Sequence, residues 1–198
     1  MSQKQEFMNQ QQKHRAHTRE KILESAQRQF CKHGFSAVSI DEVMEGAGLT
    51  RGGFYSYFDS RTELYAEAVK RIARDKQRNG RAAESATEYA AKVVREYLSH
   101  EHIDGGEDSC PLIALPSDLC RTDANVRAAF ESALSVLIEI VERGFQPDQN
   151  TAARQRTLAL VSMLVGSMVL ARGVDSRALS DELRQAALAA TFDLGGQA

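Results

Sequence analysis

What the chain lacks narrows the reading first. Cys31, Cys110 and Cys120 are its three cysteines, an odd number with no CxxC pair. A disulfide framework is disfavoured by that count, and a reducing cytoplasm is the expected compartment. No apolar run reaches membrane length: the longest, 158–171 (LALVSMLVGSMVLA), has 14 residues flanked by Arg156 and Arg172, whereas a span needs about 20. A buried helix is expected there, and no membrane partner. Residues 1–13 (MSQKQEFMNQQQK) are polar and rich in Gln with no apolar centre, so no signal peptide is expected. No segment alternates like a strand for more than a few residues, and no internal repeat is evident.

Catalytic motifs are missing too. The chain carries no GxSxG, HExxH or Walker loop, and Gly46, Gly48 and Gly52 miss the dinucleotide spacing by one and follow a helix pattern. His100, His102, Cys110 and Cys120 fit no standard zinc spacing. No catalytic residue, metal or cofactor is therefore assigned, and an enzyme is not expected. Nor is there a global excess of positive charge, since the net charge is −2 and the pI about 6.2.

Charge is nevertheless distributed unevenly. From Lys13 to His33, Lys13, Arg15, Arg19, Lys21, Arg28 and Lys32 stand against Glu20 and Glu24, a local cationic surplus that suits a polyanion as well as a solvated helix face. Residues 1–15 read as a flexible arm. From Thr18 onward Ile22, Leu23, Ala26 and Phe30 recur at helical spacing, and His33-Gly34 ends the segment.

The most informative stretch is 34–64, GFSAVSIDEVMEGAGLTRGGFYSYFDSRTEL. Ser39 reads as the N-cap of a helix to about Glu45, with Ile40, Val43 and Met44 as its buried stripe. Gly46-Ala47-Gly48 makes a turn, in which Gly48 can take the positive φ needed to lay a second helix across the first. Thr50 is expected to cap that second helix, which carries Arg51, Gly52, Gly53, Tyr55 and Ser56. Arg51 can fork onto a guanine edge, and the Thr50 hydroxyl, the N-terminal amides and Tyr55 can hold phosphates. Two helical glycines cost roughly 1 kcal/mol each relative to alanine, so the backbone is expected to approach something closely. Phe54, Tyr57 and Phe58 have a packing pattern, with stacking on bases as the alternative.

With Ala26 to Phe30 in an AxxxF pattern, Gly34-Phe35, SIDEVMEGAGLTRGGFYSYF and the helix at Leu64, the N-terminal part resembles the DNA-binding domain of TetR/AcrR-family transcriptional regulators. Val43-Met44 stands where the family commonly has Ile-Ala, and Ser39 where Thr is usual; both keep the chemistry. The resemblance implies an all-α protein: a three-helix helix-turn-helix domain over 16–62 and a helical ligand-binding and dimerisation domain over 63–198. It implies a homodimer that binds a palindromic operator in double-stranded DNA, most simply a repressor, released by a small-molecule inducer. The candidate DNA contacts are Ser39, Thr50, Arg51, Gly52, Tyr55, Ser56, Tyr57 and Arg61.

Beyond that domain, helices are expected from Asp59-Ser60 towards Asn79-Gly80, over Thr87–Ser99, over Val126–Phe145 with Gly144 and Pro147 as its end, over Ala152–Arg172 and over Ser180–Phe192, with HEHIDGGEDS as a loop. Ser162, Gly166, Ser167 and Ala171 beside Leu179, Leu183, Ala186, Ala187, Ala190 and Leu194 suit a two-fold four-helix bundle, or alternatively an internal hairpin. Tyr89, Tyr97, Phe130 and Met163 are candidate lining residues of a mostly apolar inducer pocket. Cys110 precedes Pro111, where a helix start would favour thiolate. An electrophile or oxidant sensor of the same fold is therefore one alternative function, and a helical carrier without DNA function another.

Overall fold

The computed structural model describes residues 3–33, 37–103, 123–146 and 150–195. These form α1 (Gln3–His33), α2 (Ile40–Gly46), a 3-10 helix (Arg51–Ser56), α3 (Arg61–Ala82), α4 (Ala86–Tyr97), α5 (His100–Ile103), α6 (Ala124–Phe145), α7 (Thr151–Gly173) and α8 (Arg177–Leu194). No strand occurs among the described residues, and the protein is all-α, with a helix-turn-helix at its N-terminal side. Most helix starts are set by short polar side chains that accept from an amide in the first turn: Ser39 from Glu42, Ser60 from Glu63, Ser85 from Glu88, Asp123 from Asn125, Asn150 from Ala153 and Ser176 from Leu179. Each such cap is worth about 1 kcal/mol.

Several expectations need correction. The arm expected over 1–15 is helical from Gln3 onward, because its Gln, Lys, Glu and Met residues are good helix formers uninterrupted by Gly or Pro. The second motif helix is a single 3-10 stretch, in keeping with two adjacent glycines that weaken a longer α-helix. Thr50 stands at its N-cap with extended backbone, φ −92° and ψ 151°, yet its hydroxyl makes no cap bond. His100–Ile103 is a short helix where a loop was expected. Gly144 stands one residue before the end of α6 at Phe145, where the helix was expected to end, and a Cβ there would sit 2.1 Å from the Ala90 Cβ, so its bareness also lets α4 and α6 touch. Gly48 does take the turn conformation expected of it, with φ +72°.

The core runs without a break from Ile22, Leu23 and Phe30 of α1, through Val43, Met44, Phe54 and Phe58, to Leu64, Tyr65 and Val69 of α3, and on into α4, α6 and α7. α3 packs on α1 and on α6, α4 on α6, and α7 on α8. Arg71 fastens α3 to α1 by donating to Glu20, to the Gln27 Oε1 at 2.7 Å and to Glu24 at 3.2 Å. α7 is long and apolar enough, by length and composition, to cross a bilayer, and Leu160, Val161, Leu164, Met168 and Ala171 are buried along one side of it. That helix extends well beyond the 14-residue run visible in the sequence.

Candidate nucleic-acid interface

The recognition surface is built by a reversal and an anchor. α2 is fixed by a reciprocal capping box, in which the Ser39 hydroxyl accepts from Glu42 N at 3.2 Å while the Ser39 amide donates to Glu42 Oε2 at 2.7 Å. That amide, and secondly the Ser39 hydroxyl, hold the Glu42 carboxyl below its usual pKa. After Gly48 the chain enters the 3-10 helix, whose bonds from Gly53 N to Thr50 O and from Tyr57 N to Phe54 O measure 3.1 and 2.9 Å. Phe54 and Phe58 are fully buried and stack at 5.9 Å. They press one side of this short helix into the core and leave the other side outward.

The outward side carries Thr50, Arg51, Gly52, Tyr55 and Ser56, all exposed. Arg51 is 65% exposed and its Nη1 donates to Asp41 Oδ2 at 2.7 Å. Exposed pairs of this kind contribute at most about 1 kcal/mol, so Asp41 holds Arg51 in place without preventing its transfer to a base edge or phosphate. Nothing lies within 4 Å of where a Gly52 Cβ would be, so the glycine is not required by packing inside the subunit. Ser39 is exposed but its hydroxyl is committed to the capping box. Tyr57 and Arg61 are half-buried, and burial lowers the Arg61 pKa; both are more retracted than the other candidates.

α1 borders this surface. Arg15 Nη2 donates to the Ser56 carbonyl at 2.7 Å, and the Arg19 guanidinium lies 4.6 Å over the Phe58 ring and 3.7 Å from Glu67. The cationic run seen in the sequence is thus partly structural at Arg15 and Arg19, and exposed at Lys13, Lys21, Arg28 and Lys32.

A second concavity, of about 510 Å³, opens between α3, α4 and α6. Tyr89 and Tyr97 line it, whereas Phe130 and Met163 pack against the core elsewhere. Tyr89 Oη donates to the Lys76 carbonyl at 2.8 Å, and burial followed by the nearby Glu96 raises its pKa. The lining is mixed rather than mostly apolar: Ile72, Val93, Val136 and Leu137 face Asp75, Lys76, Lys92, Glu96 and Glu101. Apart from Tyr89 and Tyr97, none of its lining residues was assigned to a pocket from sequence, His102 and Gln27 among them. His102, in what looked like a loop, is buried against Tyr97 with ring centroids 5.0 Å apart. Gln27 belongs to α1, and no helical periodicity marks a polar residue as a pocket wall. Cys110 and Cys120 lie outside the described residues, among which no group of three or more His, Cys, Asp or Glu could hold a metal ion.

Comparison with known proteins bears on the N-terminal half of this geometry. Residues 22–68 match the model described as bacterial regulatory proteins, tetR family. The probable acrEF/envCD operon repressor of Escherichia coli strain K12 is 36% identical over 50 residues, 25% of this chain and 23% of the repressor. The HTH-type transcriptional regulator TtgR of Pseudomonas putida is 34% identical over 71 residues, 36% of this chain and 34% of the regulator. These alignments thus span a quarter to a third of the relatives' own length. The crystal structure of reduced E. coli NemR superposes with a TM-score of 0.71 at 16% identity, covering 89% of this chain and 96% of that one, which extends the likeness of fold to the C-terminal helices.

Proposed function

The chain belongs, through residues 22–68, to the tetR family of bacterial regulatory proteins, and on that premise we propose that it is a cytoplasmic, non-enzymatic transcriptional repressor that binds a palindromic operator in duplex DNA as a homodimer. The observation that carries this reading is the exposed row Thr50, Arg51, Gly52, Tyr55 and Ser56 held on a six-residue helix by the buried Phe54. Arg51 reads a base edge, and Thr50, Tyr55 and Ser56 hold phosphates. The proposal is tested by selecting bound sequences from a random duplex pool. One palindromic motif is expected, and Arg51→Ala is expected to weaken it by about 1–3 kcal/mol and relax one base position in each half. A pool with no enriched motif, or an unchanged titration for Arg51→Ala, would sink the reading.

Two outward stripes support the dimer. Leu158, Ser162, Val165 and Val169 line one side of α7, and Leu179, Leu183, Ala186, Ala190 and Leu194 one side of α8, all exposed or half-buried. No atom lies within 4 Å of where a Gly166 Cβ would be, so its small size serves an approach from outside the subunit. Adjacent apolar stripes on packed helices form a patch that a second copy covers. Gly166→Asp combined with Leu183→Asp is expected to halve the mass measured by light scattering and to abolish operator binding. A persistent dimer would move the interface elsewhere.

The inducer is proposed to be a small molecule with an aromatic or apolar body and a polar end, seated between Tyr89 and Tyr97. The apolar floor and charged rim of the 510 Å³ concavity support that chemistry. Such a ligand releases DNA only by binding the DNA-free conformation better, and by the same factor that it weakens the operator complex.

A further inference from the structure

The first turns of α1 present a surface that the helix-turn-helix reading leaves unused. Every side chain from Glu6 to His17 is exposed, so this part of the helix gains nothing from packing inside the subunit. An isolated helix of that length is marginal in water. Its direction is nonetheless set, because Arg15 is bonded to the Ser56 carbonyl and Arg19 sits over Phe58 immediately after it.

Phe7, Gln10, Gln11 and His14 fall at i, i+3, i+4 and i+7, one face of the helix. That face and Arg15 form one wall of an open groove of about 880 Å³ whose other wall is Tyr55, Ser56 and Tyr57. No carboxylate lines it. The polar groups it offers are amide, imidazole, guanidinium and hydroxyl donors, and Lys13 lies beside it in the sequence. Half of the groove is therefore the phosphate-facing edge of the recognition helix, and the other half is a donor-rich helix leading away from it.

We propose that this groove seats the phosphate backbone of the duplex just outside each half-site, so that the α1 extension lengthens the operator contact beyond the helix-turn-helix. The inference rests on the DNA-binding reading above and deepens it. The lining identifies the occupant: with Arg15 as its guanidinium, no carboxylate, and Gln10 and Gln11 as neutral donors, a polyanion placed against Tyr55 and Ser56 would continue along Gln10, Gln11, His14 and Arg15. Residues 3–12 rise about 15 Å as a helix, which spans up to about four base pairs of duplex.

The experiment uses full-length protein and the site it selects, comparing wild type with a chain lacking residues 2–12 and with Gln10→Glu combined with Gln11→Glu. The changed residues from Glu6 to Gln12 are exposed and outside the core, and unchanged thermal unfolding checks that folding is intact. The truncated chain is expected to protect up to about four base pairs fewer on each flank. The double glutamate variant is expected to bind about tenfold more weakly at low salt, with the difference shrinking as salt rises. A footprint and affinity equal to wild type in both variants would overturn this inference while leaving the regulatory reading standing. Failure of wild type to select any site would instead remove the regulatory reading itself. If truncation spares the single-site footprint and removes only cooperative loading of adjacent sites, the surface seats a second copy and the proposal is overturned.

Discussion

Phe54→Ala is expected to destabilise the protein by about 3–5 kcal/mol and to abolish operator binding. The side chain is fully buried, stacked on Phe58 at an interplanar angle of 27° and edge-on to Tyr55 with centroids 5.2 Å apart. It also has a positional task. The 3-10 helix is six residues long, contains Gly52 and Gly53, and receives no side-chain cap from Thr50. Little local propensity therefore keeps it formed, and the ring holds Arg51 and Tyr55 in register from beneath. Truncation removes apolar contact and leaves a cavity that α2 cannot fill without shifting. In a chain of this size the loss corresponds to a fall in the unfolding midpoint of roughly 10 °C. Denaturant unfolding followed by circular dichroism, with a parallel operator titration, checks both effects. A loss below about 1 kcal/mol with intact binding would show that the recognition helix is held by something other than this ring.

Acidification supplies the second large effect. His102 is 9% exposed, and its pKa is lowered to about 4, first by burial and then by Lys76 and Arg172. In the unfolded chain the imidazole takes its proton near pH 6.5. Between pH 6.5 and 4 the unfolded state therefore binds more protons than the folded one, and stability falls with falling pH. Above pH 6.5 the contribution is fully present; below about 4 both states are protonated and the loss levels off. The complete change is on the order of 3 kcal/mol. His102→Phe keeps a ring against Tyr97 without the titration, so its unfolding free energy is expected to be flatter than wild type across that window. Identical pH slopes in the two proteins would assign the acid sensitivity to other groups. Because His102 also lines the concavity beside Tyr97, it presents a neutral imidazole to a bound molecule at pH 7.

The helix-turn-helix was legible because its signals are local. Ser39 marks the N-cap, Gly48 the one positive φ among the described residues, and Val43 with Met44 the buried stripe; the partner Glu42 of the capping box was not read. The apolar periods likewise put the longer C-terminal helices within a few residues of their observed ends, although their caps at Ser85, Asp123, Asn150 and Ser176 were not read. What depends on pairs distant in sequence was not legible. Gly144 was readable as part of a helix end, but nothing near it in sequence indicates that Ala90 of another helix presses on it. The α1 extension looked like an arm because residues 3–15 have no apolar face, and a helix without one leaves no period to read. Phe130 and Met163 were drawn towards the pocket by residue type alone, while the concavity is lined instead by residues such as His102 and Gln27, whose positions are set by tertiary packing.

One of those residues changes how the protein can be divided. Gln27, on the helix that packs against the helix-turn-helix, forms part of the wall of the concavity and accepts a hydrogen bond from Arg71. α3 begins at Arg61 and runs unbroken through Ala82, so a cut at residue 62 would cross its first turn and detach it from the Ser60 cap. On the inducer reading, the C-terminal part expressed alone would therefore lack one side of the cup and carry a frayed helix with Tyr65 and Val69 laid bare. Ligand screening is accordingly expected to succeed on the whole chain and to understate affinity on the excised fragment. On the inducer reading proposed above, a molecule in that cup would lie beside Gln27 of the helix-turn-helix unit, and the distance over which its presence must be relayed would shrink to a single side-chain contact.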